Sequence, residues 1–320
     1  IACQSLGLSA KDFIWTTPIT FVSSANCAFF FNAKVDFVDI DPETFNIDLD
    51  ELEEKLIISK KKKKLPKILI IVHLGGNPAN LKRVKKLSKK YKFSIIEDAS
   101  HALGSKYEDI RIGNAKYSDI TIFSFHPLKS ITTGEGGAIL TNKKYLNEKI
   151  KILRSHGIVR NKKNLGKKNM PKWYYEQKYL SSNYRMTAIQ AALGVSQMKR
   201  LDKFILKRNK IASIYEKNLP KNIFKFQKIN QTDQSSRHLF IAYLKNNLRN
   251  KLYNYLIKNK IQTNLHYIPV YRHPFYAKFK INKKKFFNSE EYYAKALSLP
   301  IHYNLTSGEQ KYIIDKIKIF

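Results

Sequence analysis

Three clusters of polar residues interrupt the apolar runs of this chain where strands are predicted to end. Their sequences are EDASHALG at residues 97–104, SFHPLK at 124–129 and TTGEGG at 132–137. Taken singly, an acidic pair also caps helices, a loop lysine is usually solvated, and a glycine-rich run is usually a turn. Taken together, they place a carboxylate, Asp98, and an amine, Lys129, at the ends of two strands.

An amine and a carboxylate in this arrangement meet the requirements of pyridoxal 5′-phosphate chemistry. The lysine must form a Schiff base with the aldehyde of the cofactor. The carboxylate must keep the pyridine nitrogen protonated, so that the ring can accept electrons. The sequence therefore predicts Lys129 and Asp98 as the catalytic pair of a pyridoxal-phosphate enzyme.

Strands and helices are predicted to alternate through the first two-thirds of the chain. The strands are predicted at residues 12–16, 34–39, 68–72, 93–97, 119–123 and 138–141, and the helices at 21–32, 50–58 and 81–91. This alternation predicts an α/β fold, with a mostly parallel sheet covered by helices on both faces. In such sheets ligands bind at the carboxyl ends of the strands, where the three polar clusters lie.

The last third of the chain has a more mixed pattern. A helical stretch at 186–215 is followed by elements predicted as a strand at 238–244, a helix at 248–259, a strand at 261–265 and helices at 289–297 and 308–317. We therefore predict a cofactor-binding large domain at residues 1–204 and a smaller α+β domain at 205–320.

The charge of the chain is its one unusual bulk property. Its 320 residues include 59 Lys and Arg against 25 Asp and Glu, which gives a net charge of +34. The lysines are dispersed, and no nucleic-acid-binding motif accompanies them, so a solvated surface that attracts a phosphorylated substrate explains them better. No apolar stretch approaches the roughly 18 residues of a membrane span. Cys3 and Cys27 lack metal-ligand spacing, and we expect them to be reduced residues of a cytoplasmic protein.

Several segments together resemble the DegT-type sugar aminotransferases, which are pyridoxal-phosphate enzymes of the type I fold. They are EDASHALG, SFHPLKSITTGEGGAILTN, LRSHG and NYRMTAIQAALG, and the resemblance spans essentially the whole chain. A narrower likeness, to the branch that serves pseudaminic acid biosynthesis, is carried by WTTPITFVSSANC, VDFVDIDPETFNID, SSRHLF and HYIPVY. The resemblance implies transfer of the amino group of glutamate to C4 of a UDP-4-keto-6-deoxy-N-acetylhexosamine.

The resemblance also implies roles for individual residues. Lys129 matches the Schiff-base lysine and Asp98 the partner of the ring nitrogen. The other implied cofactor contacts are His101 beside the ring hydroxyl oxygen, Ser124 at the phosphate, Phe21 stacked on the ring, and Asn183 given to the phosphate by the neighbouring subunit. A homodimer with shared sites is therefore expected. His266, Tyr267 and Arg154 are further candidates for contacts to the sugar or its diphosphate.

The beginning of the chain departs from the family pattern. Family members carry an additional N-terminal segment, which leads into a helix that cradles the cofactor phosphate, whereas this chain begins inside that helix at Ile1. Because a helix N-terminus is an anion-binding site, we expect the polypeptide as given to bind the cofactor weakly. Three alternatives stay open: a different nucleotide-linked keto sugar, an inactive or regulatory cofactor-binding remnant, and a nucleic-acid binder.

Overall fold

The computed structural model describes residues 1–320, except for the side chain of Lys162. The helices, numbered in chain order, are α1 Ala2–Ser5, α2 Ser23–Asn26, α3 Leu49–Lys61, α4 Leu81–Tyr91, α5 Lys144–Leu153, α6 Ala188–Met198, α7 Leu201–Asn218, α8 Arg249–Lys258, α9 Phe287–Lys295 and α10 Ser307–Ile319. The strands are β1 Phe13–Thr16, β2 Lys34–Phe37, β3 Ile68–Val72, β4 Ser94–Asp98, β5 Lys106–Tyr107, β6 Ile110–Arg111, β7 Ile120–Ser124, β8 Gly137–Leu140, β9 Ile158–Val159, β10 Glu176–Gln177, β11 Phe224–Phe226, β12 Phe240–Leu244 and β13 Ala296–Leu299. Short 3-10 helices lie at Phe29–Phe31, Leu74–Gly76, Lys162–Asn164, Val270–Arg272, Pro274–Phe279 and Lys283–Lys285.

A six-stranded sheet forms the centre of the molecule, in the order β2-β1-β3-β4-β7-β8. The first five strands are parallel, and β8 runs antiparallel to β7. The predicted α/β class with a mostly parallel sheet is therefore confirmed. Because β4 and β7 are parallel neighbours, their carboxyl ends meet at one edge of the sheet.

Helices cover both faces of this sheet, as the packing partners of strand β3 show. Leu69 and Ile71 pack on one face with the apolar residues of α3 and α4. Ile68 and Ile70 pack on the opposite face with residues of α1 and α5. A strand that is buried on both faces is expected to be apolar at every position. Strand β3 meets this expectation, because it consists only of isoleucine, leucine and valine.

A second, three-stranded antiparallel sheet lies in the C-terminal part, in the order β11-β12-β13. Its core combines residues of these strands with Tyr215 of α7, Leu252 of α8 and Ile313 of α10. Helix α7 runs across the domain boundary that the sequence predicts at residue 204. The division into domains at 1–204 and 205–320 remains a prediction. No helix of the described residues is both long and apolar enough to cross a bilayer.

Two strand and helix predictions in the C-terminal part are wrong. Residues 261–265 form no strand and make one isolated bridge, between Asn264 and Ser298. The helix predicted at 289–297 ends at Lys295, and the next four residues form β13. The β13 residues pair with β12 and are all buried, so tertiary pairing outweighs the helical pattern there.

Two predicted helices are broken into shorter pieces. The segment 21–32 holds the single turn of α2 and a 3-10 turn at Phe29–Phe31. The segment 186–215 holds α6 and α7, separated at Lys199–Arg200. After this break α7 buries Leu201 against Ile131, whereas α6 buries no residue.

Candidate active site

A cavity of about 500 Å³ opens at the carboxyl ends of β4 and β7. Its walls contain residues from several separate segments of the chain, among them Thr20, Phe21, Asp98, His101, Ser124, Lys129, Glu135, His238, His266 and Tyr267. The two predicted catalytic residues therefore face one space. This volume lies within the range of about 300–1,000 Å³ that is typical of cofactor and substrate sites.

Lys129 enters the cavity from a tight turn after β7. Its backbone N–H donates to the carbonyl oxygen of His126 at 2.9 Å, which closes a four-residue turn with Pro127 at its second position. Proline favours that position because its φ angle is already correct for the turn. Burial lowers the pKa of the Lys129 amine, and the negative charge of Asp98 partly opposes this shift. The amine is thereby poised to lose its proton more easily than a solvated lysine.

Asp98 is the last residue of β4, and two hydroxyl groups hold its carboxylate. Ser24 Oγ donates to Oδ2 at 2.6 Å, and Ser100 Oγ donates to Oδ1 at 2.6 Å. The backbone N–H of Ser100 donates to the same Oδ1 at 3.1 Å. These donors fix the orientation of the carboxylate, which lines the cavity.

The preceding carboxylate, Glu97, lies away from the cavity. Its Oε2 accepts from His73 Nε2 at 3.0 Å, and its Oε1 accepts from Thr121 Oγ1 at 3.1 Å. Burial is the largest single influence on Glu97 and raises the pKa of its carboxyl, but the interactions with His73, Ser118 and Thr121 together outweigh it and lower that pKa. The acidic pair at the start of EDASHALG therefore consists of one structural carboxylate, Glu97, and one cavity-facing carboxylate, Asp98.

Histidine and tyrosine side chains form another part of the cavity wall. His101 Nε2 lies 3.0 Å from Tyr267 Oη, and its Nδ1 accepts from the backbone N–H of Gly75 at 3.3 Å. His266 Nδ1 lies 2.9 Å from Ser298 Oγ, and burial together with the charge of Lys129 lowers its pKa to about 4. His266 is thus a neutral imidazole near pH 7.

The ring of Phe21 and the hydroxyl of Ser124 also face this space. Phe21 is 58% exposed, and its ring centroid lies 6.1 Å from that of Tyr267. Ser124 is the last residue of β7 and belongs to the same wall as Lys129. The cavity thus combines an aromatic face, a hydroxyl, a carboxylate and a half-buried amine.

A sequence model described as the DegT/DnrJ/EryC1/StrS aminotransferase family matches residues 1–318. The chain belongs to this family. The resemblance drawn from the sequence motifs is confirmed, and so is the prediction of an aminotransferase.

Individual relatives within the family cover nearly all of the chain. The UDP-4-amino-4,6-dideoxy-N-acetyl-beta-L-altrosamine transaminase of Campylobacter jejuni strain 81-176 is 38% identical over 99% of this chain and 81% of its own length. Helicobacter pylori PseC, an aminotransferase involved in the biosynthesis of pseudoaminic (pseudaminic) acid, has a TM-score of 0.86 and 30% identity over 99% of this chain and 88% of its own.

Another similar solved structure is described as a PLP form. Streptococcus pneumoniae Spr1654 in its PLP form has a TM-score of 0.86 and is 26% identical, covering 99% of this chain and 82% of its own. A PMP form of the same protein is also similar to this chain.

Two of the family-derived candidates lie outside the cavity. Asn183 and Arg154 are both exposed, and neither belongs to the cavity wall. They are close to each other, because the N–H of Tyr184 donates to the carbonyl oxygen of Arg154 at 3.0 Å and Asn183 forms a bridge with Ser155. Their roles in binding remain predictions, and that of Asn183 needs a second subunit.

The structure adds three residues that the sequence motifs did not single out as functional. Ser24 and Ser100 hold Asp98, and His238 lines the cavity with a buried Nδ1 that has no partner among the described residues. Ser100 lies within EDASHALG, so its closeness to Asp98 could have been inferred. Ser24 and His238 are distant in sequence from Asp98, and only the fold brings Ser24 to this carboxylate and His238 to the cavity wall.

Proposed function

We propose that this protein is a pyridoxal-phosphate-dependent aminotransferase that moves the amino group of glutamate to C4 of a UDP-4-keto-6-deoxy-N-acetylhexosamine. The observation that carries the proposal is the convergence of Lys129 and Asp98 on one cavity at the strand ends. Support for the substrate class comes from the relatives in Campylobacter jejuni and Helicobacter pylori. An enzyme for these substrates would act in the cytoplasm.

The residues of the cavity fit the chemical groups of the cofactor. Lys129 would hold its aldehyde carbon and Asp98 its ring nitrogen, while Phe21 offers an aromatic face and Ser124 a hydroxyl for the phosphate. When bound, pyridoxal phosphate supplies an aldehyde that condenses with amines and a ring that takes up electrons.

Lys129 is the proton carrier of the proposed reaction. Its lowered pKa favours the neutral amine, which is the form that can attack an aldehyde or accept a proton. We propose that Nζ removes the proton from the α-carbon of glutamate and later returns a proton to C4 of the sugar. One base can serve both halves because an amine that accepts a proton in the first half can return one in the second.

Asp98 and its two serine partners are proposed to set the electrostatics of the site. Ser24 Oγ and Ser100 Oγ each donate to one oxygen of Asp98 and so fix the orientation of its carboxylate. A carboxylate held in this way keeps a facing ring nitrogen protonated. His266 and Tyr267 line the same cavity and are proposed to contact the sugar or its diphosphate.

We further propose that two copies of the chain form a dimer through α6. This helix is rich in apolar residues yet buries none, and Ile189 and Val195 are 84% and 60% exposed. Large exposed apolar surfaces of this kind usually mark protein interfaces. Gln190 of α6 donates to the carbonyl oxygen of Glu135 at 3.0 Å, beside the cavity. A partner on α6 would therefore lie close enough to supply its Asn183 to the neighbouring site.

The experiment that tests this function is product identification with a panel of keto sugars. The protein, pyridoxal phosphate and glutamate are incubated with UDP-, dTDP- and GDP-linked 4-keto-6-deoxy sugars, and the products are analysed by mass spectrometry. We expect a 4-amino sugar from the UDP-linked N-acetyl substrate and none from a Lys129→Ala variant. Amination of only a different nucleotide sugar would refute the substrate, and turnover by the variant would refute the role of Lys129.

A further inference from the structure

A chain of hydrogen bonds leads from the turn after β3 through His101 to Tyr267. The backbone N–H of Gly75 donates to His101 Nδ1 at 3.3 Å, and His101 Nε2 lies 3.0 Å from Tyr267 Oη. The turn can approach this closely because Gly76 has a φ of +93° and no Cβ, which would lie 2.8 Å from the carbonyl oxygen of His101.

The first bond of this chain fixes the tautomer of His101. A backbone N–H can only donate, so Nδ1 must be the acceptor. Burial, followed by the charges of Lys129 and His266, holds the pKa of His101 well below its ordinary value, so the ring is neutral. A neutral imidazole with an unprotonated Nδ1 carries its proton on Nε2.

The second bond therefore runs from His101 to Tyr267. Nε2–H donates to Oη, which leaves the phenolic proton of Tyr267 without an acceptor in the described part of the chain. Burial and the nearby charge of Asp98 raise the pKa of Tyr267, so the phenol keeps this proton. Since Tyr267 lines the cavity, it presents an oriented O–H donor to whatever the cavity binds.

We propose that Tyr267 is the direct hydrogen-bond donor to the ring hydroxyl oxygen of the cofactor, and that His101 is a positioning residue that acts through Tyr267. This inference rests on the proposed function. It differs from the expectation drawn from the family motif, in which His101 itself lies beside that oxygen. The one N–H group of the neutral His101 ring already donates to Tyr267, so His101 has no further donor for that oxygen.

The ring hydroxyl oxygen is the acceptor that matches this donor. In the proposed arrangement the ring nitrogen faces Asp98, the aldehyde faces Lys129 and the phosphate faces Ser124. The remaining polar group of the ring is an anionic oxygen, which needs a donor. Tyr267, Asp98 and Lys129 line one cavity, so the phenol borders the space in which this oxygen would lie.

The test is a pH titration of the visible absorption band of the bound cofactor, in the wild type and in Tyr267→Phe. The band reports the proton shared between the nitrogen of Lys129 and the ring oxygen. A donor to that oxygen stabilises it after the proton leaves, so removing the donor should raise the midpoint by about one pH unit. An unchanged midpoint would overturn the inference alone, whereas a wild type without any band would overturn the proposed function as well.

A matched control is Tyr271→Phe. Tyr271 is also a buried phenol, but its hydroxyl donates to Glu290 at 2.8 Å and it does not line the cavity. We expect its band midpoint to equal that of the wild type. An equal shift in both variants would show a general packing effect and would contradict the assignment to Tyr267.

A measurement on the unsubstituted protein keeps the inference testable if Tyr267→Phe does not fold. Nitrogen-15 NMR of histidine-labelled protein without added cofactor reports which ring nitrogen of His101 carries the proton, and His101→Gln assigns its signals. We expect protonated Nε2 and unprotonated Nδ1. The opposite tautomer would reverse the direction of the hydrogen-bond chain and overturn the inference.

Discussion

Neighbouring carboxylates in β4 have different surroundings because successive side chains of a strand point to opposite faces. Glu97 faces His73 in the buried interior, whereas Asp98 faces the cavity. The same alternation explains why only one of two adjacent acidic residues can serve the proposed cofactor. At the scale of single residues, the partners of a carboxylate decide its role.

The bond from Ser24 to Asp98 should contribute measurably to cofactor binding. A hydrogen bond to a charged group contributes about 1.5–3 kcal/mol, so Ser24→Ala should weaken the affinity for pyridoxal phosphate about tenfold or more. Absorbance titration measures this affinity. Ser88→Ala is the control, because Ser88 Oγ donates to the carbonyl oxygen of Phe93 at 2.6 Å, outside the cavity wall. Equal affinities in the wild type and Ser24→Ala would contradict this role.

The lowered pKa of Lys129 predicts a pH dependence for cofactor addition. The attacking amine must be neutral, so the rate should rise with pH and level off below the ordinary lysine pKa of about 10.4. Asp98→Asn should move the midpoint further down, because the Asp98 carboxylate opposes the effect of burial. Stopped-flow mixing of cofactor-free protein with pyridoxal phosphate measures both profiles. A rate that still rises steeply above pH 10.4 would contradict a buried, easily deprotonated amine.

The residues of the candidate active site lie mainly at the ends of strands and in the turns that follow them. Asp98 and Ser124 terminate parallel strands, and the turn at His126–Lys129 brings the amine back over the sheet. Helices are held by comparable local devices, and α6 and α10 both begin with a capping box. In such a box two side chains satisfy backbone N–H groups that the first turn leaves free.

The capping box of α10 provides a stability prediction at this scale. Thr306 Oγ1 accepts from the N–H of Glu309 at 3.2 Å, and Glu309 Oε2 accepts from the N–H of Thr306 at 2.8 Å. Thr306→Ala should lower the free energy of unfolding by about 1 kcal/mol. Urea denaturation measures the change, and Ser307→Ala, at the exposed neighbouring position, is the control. A loss no larger than that of the control would show that the box does not stabilise the helix.

The sequence predicts the elements best where burial alone decides them. The run at Ile68–Val72 and the helix at Leu81–Tyr91 match the prediction residue for residue, because a doubly buried strand and an amphipathic helix have strong local patterns. The sequence pattern also predicts helix at residues 296 and 297, which are strand residues of β13. This prediction fails because the pairing of β13 with β12 depends on a distant segment.

The site shows the same division between local and distant information. The motifs around Asp98 and Lys129 were visible, because polar residues at strand ends stand out against apolar runs. Other features of the site join residues that lie far apart in sequence, as the hydrogen bonds from Ser24 to Asp98 and between His101 and Tyr267 do. The unpartnered nitrogen of His238 likewise becomes apparent only in the folded chain. No local pattern predicts such contacts, and the direction of the donor chain emerges only from the folded geometry.

At the scale of the whole molecule, the exposed face of α6 predicts the assembly state. Val195→Glu places a charge on this apolar face and should convert a dimer into a monomer with weaker cofactor binding, since Asn183 of the partner subunit would be lost. Analytical ultracentrifugation and absorbance titration measure the two effects. Ile58→Glu, at an exposed apolar residue of α3, should leave both unchanged. A monomeric wild type with full cofactor affinity would contradict the shared site.

The most direct test of the account is to locate the covalent bond to the cofactor. The protein is mixed with enough pyridoxal phosphate to saturate the visible absorption band, because weak binding is expected, and is then reduced with borohydride, digested and analysed by mass spectrometry. A chain with 59 Lys and Arg offers many competing surface amines, so specificity is the informative result. We predict the reduced cofactor on Lys129 at one equivalent per chain, and its loss in Lys129→Arg. Labelling spread over other lysines with Lys129 unmodified would contradict the central proposal.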